Sequence, residues 1–210
     1  MSVDGTLTID GRAPGNVTAR VLLNPVGNAS PTYQGVTSRA IIAKAEDGTF
    51  SIPGIPPTRY LLETGPGLPT DLYVADVRSG AISVFDTGIE VGKEPPAPLQ
   101  VMLRSGAATV DGVVRDGAGR PVSNATVVLV PPEARRENRE LYKLGKSDAS
   151  GKFSVRGIAP GSYKVFAFQA IAGGEFYNSR FLAKYEFRGR SLSVSQGSTT
   201  TETLTVIESN

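Results

Sequence analysis

The sequence predicts an all-β protein built from two repeats of about a hundred residues each, and three observations carry that prediction. The first is punctuation: 24 Gly and 15 Pro in 210 residues, set between short runs that alternate apolar and polar. The second is an internal repeat. Asp148 to Tyr163, D-A-S-G-K-F-S-V-R-G-I-A-P-G-S-Y, is matched by Asp47 to Tyr60, D-G-T-F-S-I-P-G-I-P-P-T-R-Y. Phe50, Gly54, Ile55, Pro57 and Tyr60 fall where Phe153, Gly157, Ile158, Pro160 and Tyr163 stand. The third is a composition of 40% hydrophobic and 20% charged residues, which is that of a chain able to bury a core. The expected domains are residues 1–104 and 105–210, joined through Arg104, Ser105 and Gly106.

Taken in order, V-D-G-T-L-T-I (Val3 to Ile9) and T-V-D-G-V-V-R (Thr109 to Arg115) alternate at period two and read as the first strand of each repeat. Turns follow at Gly11 to Gly15 and at D-G-A-G-R-P, Asp116 to Pro121. Second strands, Thr18 to Pro25 and Ala125 to Pro131, each stop at a proline, which cannot donate to a ladder. Long connections come next, Val26 to Gly35 and Pro132 to Glu140. In the second of these Arg135, Arg136 and Arg139 stand beside Glu133, Glu137 and Glu140, so the charges cancel and the loop reads as solvated and self-paired.

Third strands are expected at Val36 to Ala45 and Leu141 to Ser147. They lead into the duplicated stretch, where Asp47 or Asp148 closes a turn through backbone N–H groups and a following Gly enters positive φ. The longest strands follow, Arg59 to Thr64 and Ser162 to Gln169, each starting near its tyrosine, Tyr60 or Tyr163. A tyrosine at such a corner buries its ring and donates its hydroxyl to loop backbone.

The last thirds of the two repeats differ. Leu72 to Val91 reads as two strands around a Ser79-Gly80 turn. In the second repeat, Phe181, Leu182 and Tyr185 sit at helical spacing behind a cap at Asn178 or Ser179, which predicts a short helix. Final strands are expected at Leu99 to Leu103 and Glu202 to Ile207.

Composition also excludes chemistry. There is no Cys and no His, so disulfides, thiolate metal sites, the usual zinc ligands and Ser-His or Cys-His nucleophiles are all unavailable. Neither a nucleophile elbow nor an S-x-x-K signature occurs, and no phosphate-cradling G-x-x-x-x-G-K-[ST] loop is present. No catalytic residue, metal or cofactor is expected, and no enzymatic activity. The formal charge of +2 divides into 8 Lys/Arg against 10 Asp/Glu up to residue 104 and 14 against 10 beyond it. That is too little for nucleic-acid binding. No apolar run is long enough for membrane insertion, and the start Met1-Ser2-Val3-Asp4 lacks a signal peptide, which fits a cytoplasmic protein or a piece of a longer one.

Four features together resemble the carboxypeptidase regulatory-like domain: the V-x-G-x-V opening strand, the G-R-P-V-S-N-A-T-V turn and strand, the D-A-S-G-K-F-S-V-R-G-I-A-P-G-S-Y stretch and the closing alternating strand. This family is related in fold to transthyretin and to the B-type repeats of bacterial adhesins. The resemblance spans nearly all of the second repeat and is looser in the first, where P-T-R-Y replaces Pro-Gly-x-Tyr. It implies two tandem transthyretin-like Greek-key β-sandwiches of about seven strands each, the second carrying the short helix read from its residue spacing. It also implies a non-catalytic accessory module of an extracytoplasmic bacterial protein (periplasmic, associated with the outer membrane, or secreted), with neighbouring domains in a longer parent chain. Adhesin repeats of this fold often carry a Lys–Asn cross-link between first and last strands; neither first strand here has Lys and neither last strand has Asn, so none is expected.

One cluster has the chemistry of a binding site. Phe176, Tyr177, Phe181, Tyr185 and Phe187 interleave with Arg180, Lys184, Arg188 and Arg190. Aromatic faces stack on sugar rings and Arg or Lys bonds hydroxyls and carboxylates. Tyr177, Arg180, Lys184, Tyr185 and Arg188 are therefore candidate ligand-binding residues, with a glycan or a partner protein as the target. Two other readings stand beside it: a structural spacer, in which the helix caps the open end of the sandwich with its aromatics inward, and a hydrolase using paired carboxylates.

Overall fold

The computed structural model describes residues 1–26 and 38–208. They divide into two compact units, Met1–Ser105 and Gly106–Asn210. Strands of the first unit are β1 (Val3–Ile9), β2 (Arg20–Pro25), β3 (Arg39–Ile42), β4 (Thr49–Ile52), β5 (Arg59–Thr64), β6 (Leu72–Ser79), β7 (Ile82–Ser83), β8 (Ile89–Glu90) and β9 (Leu99–Ser105). Those of the second are β10 (Ala108–Arg115), β11 (Thr126–Val130), β12 (Lys143–Lys146), β13 (Lys152–Ile158), β14 (Gly161–Phe168), β15 (Arg190–Val194) and β16 (Thr199–Thr205), with helix α1 (Ser179–Tyr185) between β14 and β15.

Each unit is a Greek-key sandwich of two sheets, the chain crossing between them several times. The first pairs a sheet ordered β4-β1-β9-β6-β7 with one ordered β3-β2-β5-β8. The second pairs β13-β10-β16 with β12-β11-β14-β15. The repeat seen in the sequence is thus a repeat of topology: β1 to β5 correspond to β10 to β14, β8 to β15, and β9 to β16. In both units the first and last strands run parallel, Gly5 opposite Leu99 and Gly112 opposite Glu202. The β6–β7 hairpin has no counterpart in the second unit, where α1 occupies that place in the chain.

The two inner faces are built from the alternation that the strands spell out. In β10, Ala108, Val110, Gly112 and Val114 point into the core and the intervening residues are half-buried or exposed. At Gly112 a Cβ would lie 1.9 Å from the Glu202 carbonyl oxygen and 2.7 Å from the Phe153 ring, so the close approach of β16 and of that ring requires the missing side chain. The Asp turns close as their residue types demand. Asp47 Oδ1 accepts from the Thr49 N–H at 2.8 Å, and Asp148 Oδ1 from those of Ser150 and Lys152 at 2.8 and 2.9 Å. Gly48 and Gly151 follow at φ of 73° and 78°. Tyr60 and Tyr163 each bury the ring and donate the hydroxyl four residues back, to the carbonyls of Pro56 (3.0 Å) and Ala159 (2.9 Å).

Several boundaries differ from the sequence expectation. The long connection expected at Val26 to Gly35 falls, from residue 27 on, outside the described residues, and β3 begins within its expected span at Arg39. Of the stretch Leu72 to Val91, β6 and β7 form the expected hairpin, but Ile89–Glu90 crosses over to pair with β5 in the opposite sheet. In the second unit β16 starts at Thr199, because threonines suit a strand as well as the apolar residues after them. The short R-S-L-S-V segment, unassigned from sequence, is β15 and pairs with β14.

Candidate functional site

In the β12-β11-β14-β15 sheet the two central strands, β11 and β14, bury side chains on both faces. Val127, Leu129, Val165 and Ala167 face the sandwich core with Val110 and Phe153, while Val128, Val130, Phe166 and Phe168 face outward into a second cluster. That outer cluster is closed by Tyr142, Phe176, Leu182 and Ile207, with Tyr177, Phe181 and Tyr185 packed at its margin. The helix therefore covers the outer face of a sheet and not the open end of the sandwich. The reason is legible in the strands: V-V-L-V and V-F-A-F are continuous apolar runs, the pattern of strands buried on both sides.

Local rules set the helix in place. The Asn178 side chain accepts from the N–H groups of Arg180 (2.9 Å) and Phe181 (3.4 Å), and so caps α1. Leu182 is fully buried. Phe181 and Tyr185, one helical turn apart, have ring centroids 5.1 Å apart, and both contact Phe168, at 5.7 and 5.5 Å. Tyr177 lies 4.5 Å from Phe176 and meets Tyr142 edge-on at 4.9 Å, with the Arg139 guanidinium 4.8 Å above its ring.

Of the five candidate residues, Tyr177 and Tyr185 are half-buried and have ring faces turned to protein neighbours, while Arg180, Lys184 and Arg188 are exposed. Arg188 donates to the Val206 carbonyl at 3.3 Å. Arg180, Lys184 and Tyr185 share α1; Tyr177 belongs to the preceding turn and to the Tyr142 side of the cluster. Beside them Phe187 is 82% exposed.

The structure also assembles an ion-pair group that the sequence does not announce. Arg136, whose side chain is only 9% exposed, donates twice to the Glu186 carboxylate, at 3.0 and 3.1 Å. Lys164 reaches the same carboxylate at 2.8 Å and the Glu186 carbonyl at 3.0 Å. Burial disfavours the charged form of Glu186, but the bonds from Lys164 and Arg136 outweigh it and hold the carboxyl below its usual range. The loop expected to be solvated and self-paired is thus partly tied down: Arg136 pairs across the domain, and Glu140 is buried against Lys143 at 3.2 Å. Together Arg136, Lys164 and Glu186 border a cleft of about 510 Å³ floored by Ser162, Ser191 and Ser193. No sequence signal links Arg136 to Glu186, fifty positions on.

Among the described residues no group of three or more acidic side chains stands close enough to hold a metal. The model of the carboxypeptidase regulatory-like domain matches residues 109–206. The matched stretch runs from β10 through β16 with α1 inside it, and the first unit shares its strand order. No curated protein matches the chain. Similar solved structures include GBS52, the minor pilin of Streptococcus agalactiae, at 10% identity over 97% of this chain and 94% of that one, TM-score 0.33. The shaft pilin SpaA of Lactobacillus rhamnosus GG is 13% identical over 97% of this chain and 98% of that one, TM-score 0.30. The Bacillus anthracis TIE protein is 13% identical over 99% of this chain, TM-score 0.32, and the chain spans 33% of its length. At these scores the likenesses carry no functional argument.

Proposed function

We propose that the chain is a non-catalytic accessory segment of a larger extracytoplasmic bacterial protein, and that its work is mainly architectural. In this reading the first unit is a divergent copy of the carboxypeptidase regulatory-like domain, and the two sandwiches space and support neighbouring domains. The observation that carries the reading is the packing of the aromatic cluster: Phe176, Phe181, Tyr177 and Tyr185 spend their ring faces on one another and on the sheet, which leaves little stacking platform for a sugar. A second reading rests on the rim. Exposed Phe187 beside Arg180, Lys184 and Arg188 offers an apolar contact within a basic surround, the chemistry of a glycan or partner-protein contact.

A panel of glycans and peptidoglycan fragments, titrated against the purified chain and an Arg180→Ala/Lys184→Ala variant, separates the two. The architectural reading expects no binding by either. Binding by the wild type that disappears in a normally melting variant overturns it in favour of recognition at the rim.

A further inference from the structure

We propose that the free edge of β16 is a strand-acceptor site, taking an extended segment of a partner chain antiparallel to β16, with aliphatic side chains on its inward face. The two units differ at this point. In the first, β9 is an interior strand with β1 on one side and β6 on the other; in the second, β16 ladders with β10 and stands at the edge of its sheet among the described residues.

Backbone parity shows what the edge presents. The Ser198 carbonyl accepts from Thr109 and the Val206 N–H donates to Arg115, so even-numbered residues turn their N–H and C=O toward β10. The N–H and C=O groups of Thr199, Thr201, Thr203 and Thr205 therefore point outward, and all four residues are exposed. Edge strands are ordinarily protected by Lys, Pro or a bulge. T-T-T-E-T-L-T has neither Lys nor Pro, its register with β10 is unbroken, and Glu202 is tied to Arg190 of the same unit.

The first unit shows which occupant fits. With Gly5 equivalent to Gly112, Gln100 and Met102 stand where Thr203 and Thr205 do, and they face Arg78 and Asp76 of β6. On the inner side of that ladder Val74 and Val77, opposite Leu103 and Val101 and on either side of a bulge in β6, are 2% and 1% exposed. In the second unit the seam beside β16 is a groove of about 410 Å³ over Val165, Ala167 and Leu204, with Phe187 and Arg188 on its rim. A strand added beside β16 would lay its inward aliphatic side chains into this groove. Two copies paired through β16 would bring toward it only Thr200, Glu202 and Leu204. The groove therefore favours a partner with the β6 pattern. The proposal does not depend on the architectural reading, and Arg180 and Lys184 lie outside it.

The probe is a synthetic peptide of the β6 sequence, L-Y-V-A-D-V-R-S, with a scrambled peptide as control, added to the whole chain. Amide hydrogen exchange should show protection at Thr203 and Thr205 with the β6 peptide and none with the scrambled one. Thr203→Pro removes one outward N–H from an edge strand without touching the β10 ladder, and should weaken binding at least about tenfold, while Arg180→Ala/Lys184→Ala leaves it unchanged. Should the proline variant melt abnormally, the exchange pattern of the wild type alone decides. Absence of protection in β16, or equal binding by a normally folded Thr203→Pro, overturns the proposal. So does a wild-type dimer that the proline makes monomeric, since the occupant would then be a second copy.

Discussion

The Tyr163 hydroxyl donates to the Ala159 carbonyl at 2.9 Å, spanning the Pro160-Gly161 turn that starts β14. Tyr60 and Pro56 repeat the bond at 3.0 Å in the first unit. Burial of the ring pushes the Tyr163 phenol from 10.0 up to about 12.

Tyr163→Phe keeps the ring and leaves the Ala159 carbonyl without its donor, so it should cost about 1–2 kcal/mol in urea unfolding. The pH dependence has a definite sign. A folded pKa above the unfolded one means the hydroxyl's contribution is complete below pH 10.0 and is lost as pH rises through about 12. The stability of the wild type relative to Tyr163→Phe should fall across that window.

Gly112→Ala should be among the most damaging single changes in the second unit. Its Cβ would sit 1.9 Å from the Glu202 carbonyl oxygen, which cannot retreat without breaking the β10–β16 ladder. The expected loss is about 3 kcal/mol or more by thermal melt. Gly117→Ala, with nothing within 4 Å of its new Cβ, should stay within about 0.5 kcal/mol.

Glu186→Gln removes the anion shared by Arg136 and Lys164. At neutral pH the loss should be about 1–2 kcal/mol, less than for a fully buried pair because Glu186 keeps much of its surface in water. Its folded pKa is held below the ordinary value of 4.5. The pair's contribution is therefore present above pH 4.5 and fades as pH falls through the folded value, so wild-type and variant melting curves should converge in acid.

Leu182→Ala empties the centre of the outer cluster and should cost about 2–4 kcal/mol. Asn178→Ala, which only removes the helix cap, should cost about 1 kcal/mol. Limited proteolysis should open the chain within Gly174 to Gly189 in the leucine variant before it opens the inner sandwich.

Much of this architecture is local, and local structure can be read from sequence. The Asp148-Gly151 turn, the tyrosine corners, the Asn178 cap and the Phe181–Tyr185 spacing depend on residues within a few positions of one another. What escaped depends on distant partners. Arg136 and Glu186 meet only because β14 and the helical cap bring their loops together, and charge cancellation within Pro132 to Glu140 pointed elsewhere. The V-V-L-V and V-F-A-F runs do carry the signal that a second layer covers these strands, which turns the aromatic cluster inward, whereas the flanking strands alternate as one-sided strands do. The free edge of β16 is a property of strand order, which the residues of β16 do not themselves encode.

In both units the variable segment, the β6–β7 hairpin or α1, leaves from β5 or β14 and returns to the strand paired antiparallel with it, β8 or β15. The frame holds both ends of this excursion close, so doubling its length adds only about 0.6 kcal/mol of closure entropy. Evolution or an engineer can thus exchange what lies between those strands while the seven-strand frame goes on folding around the same corners. The two halves of this chain are two fillings of one socket.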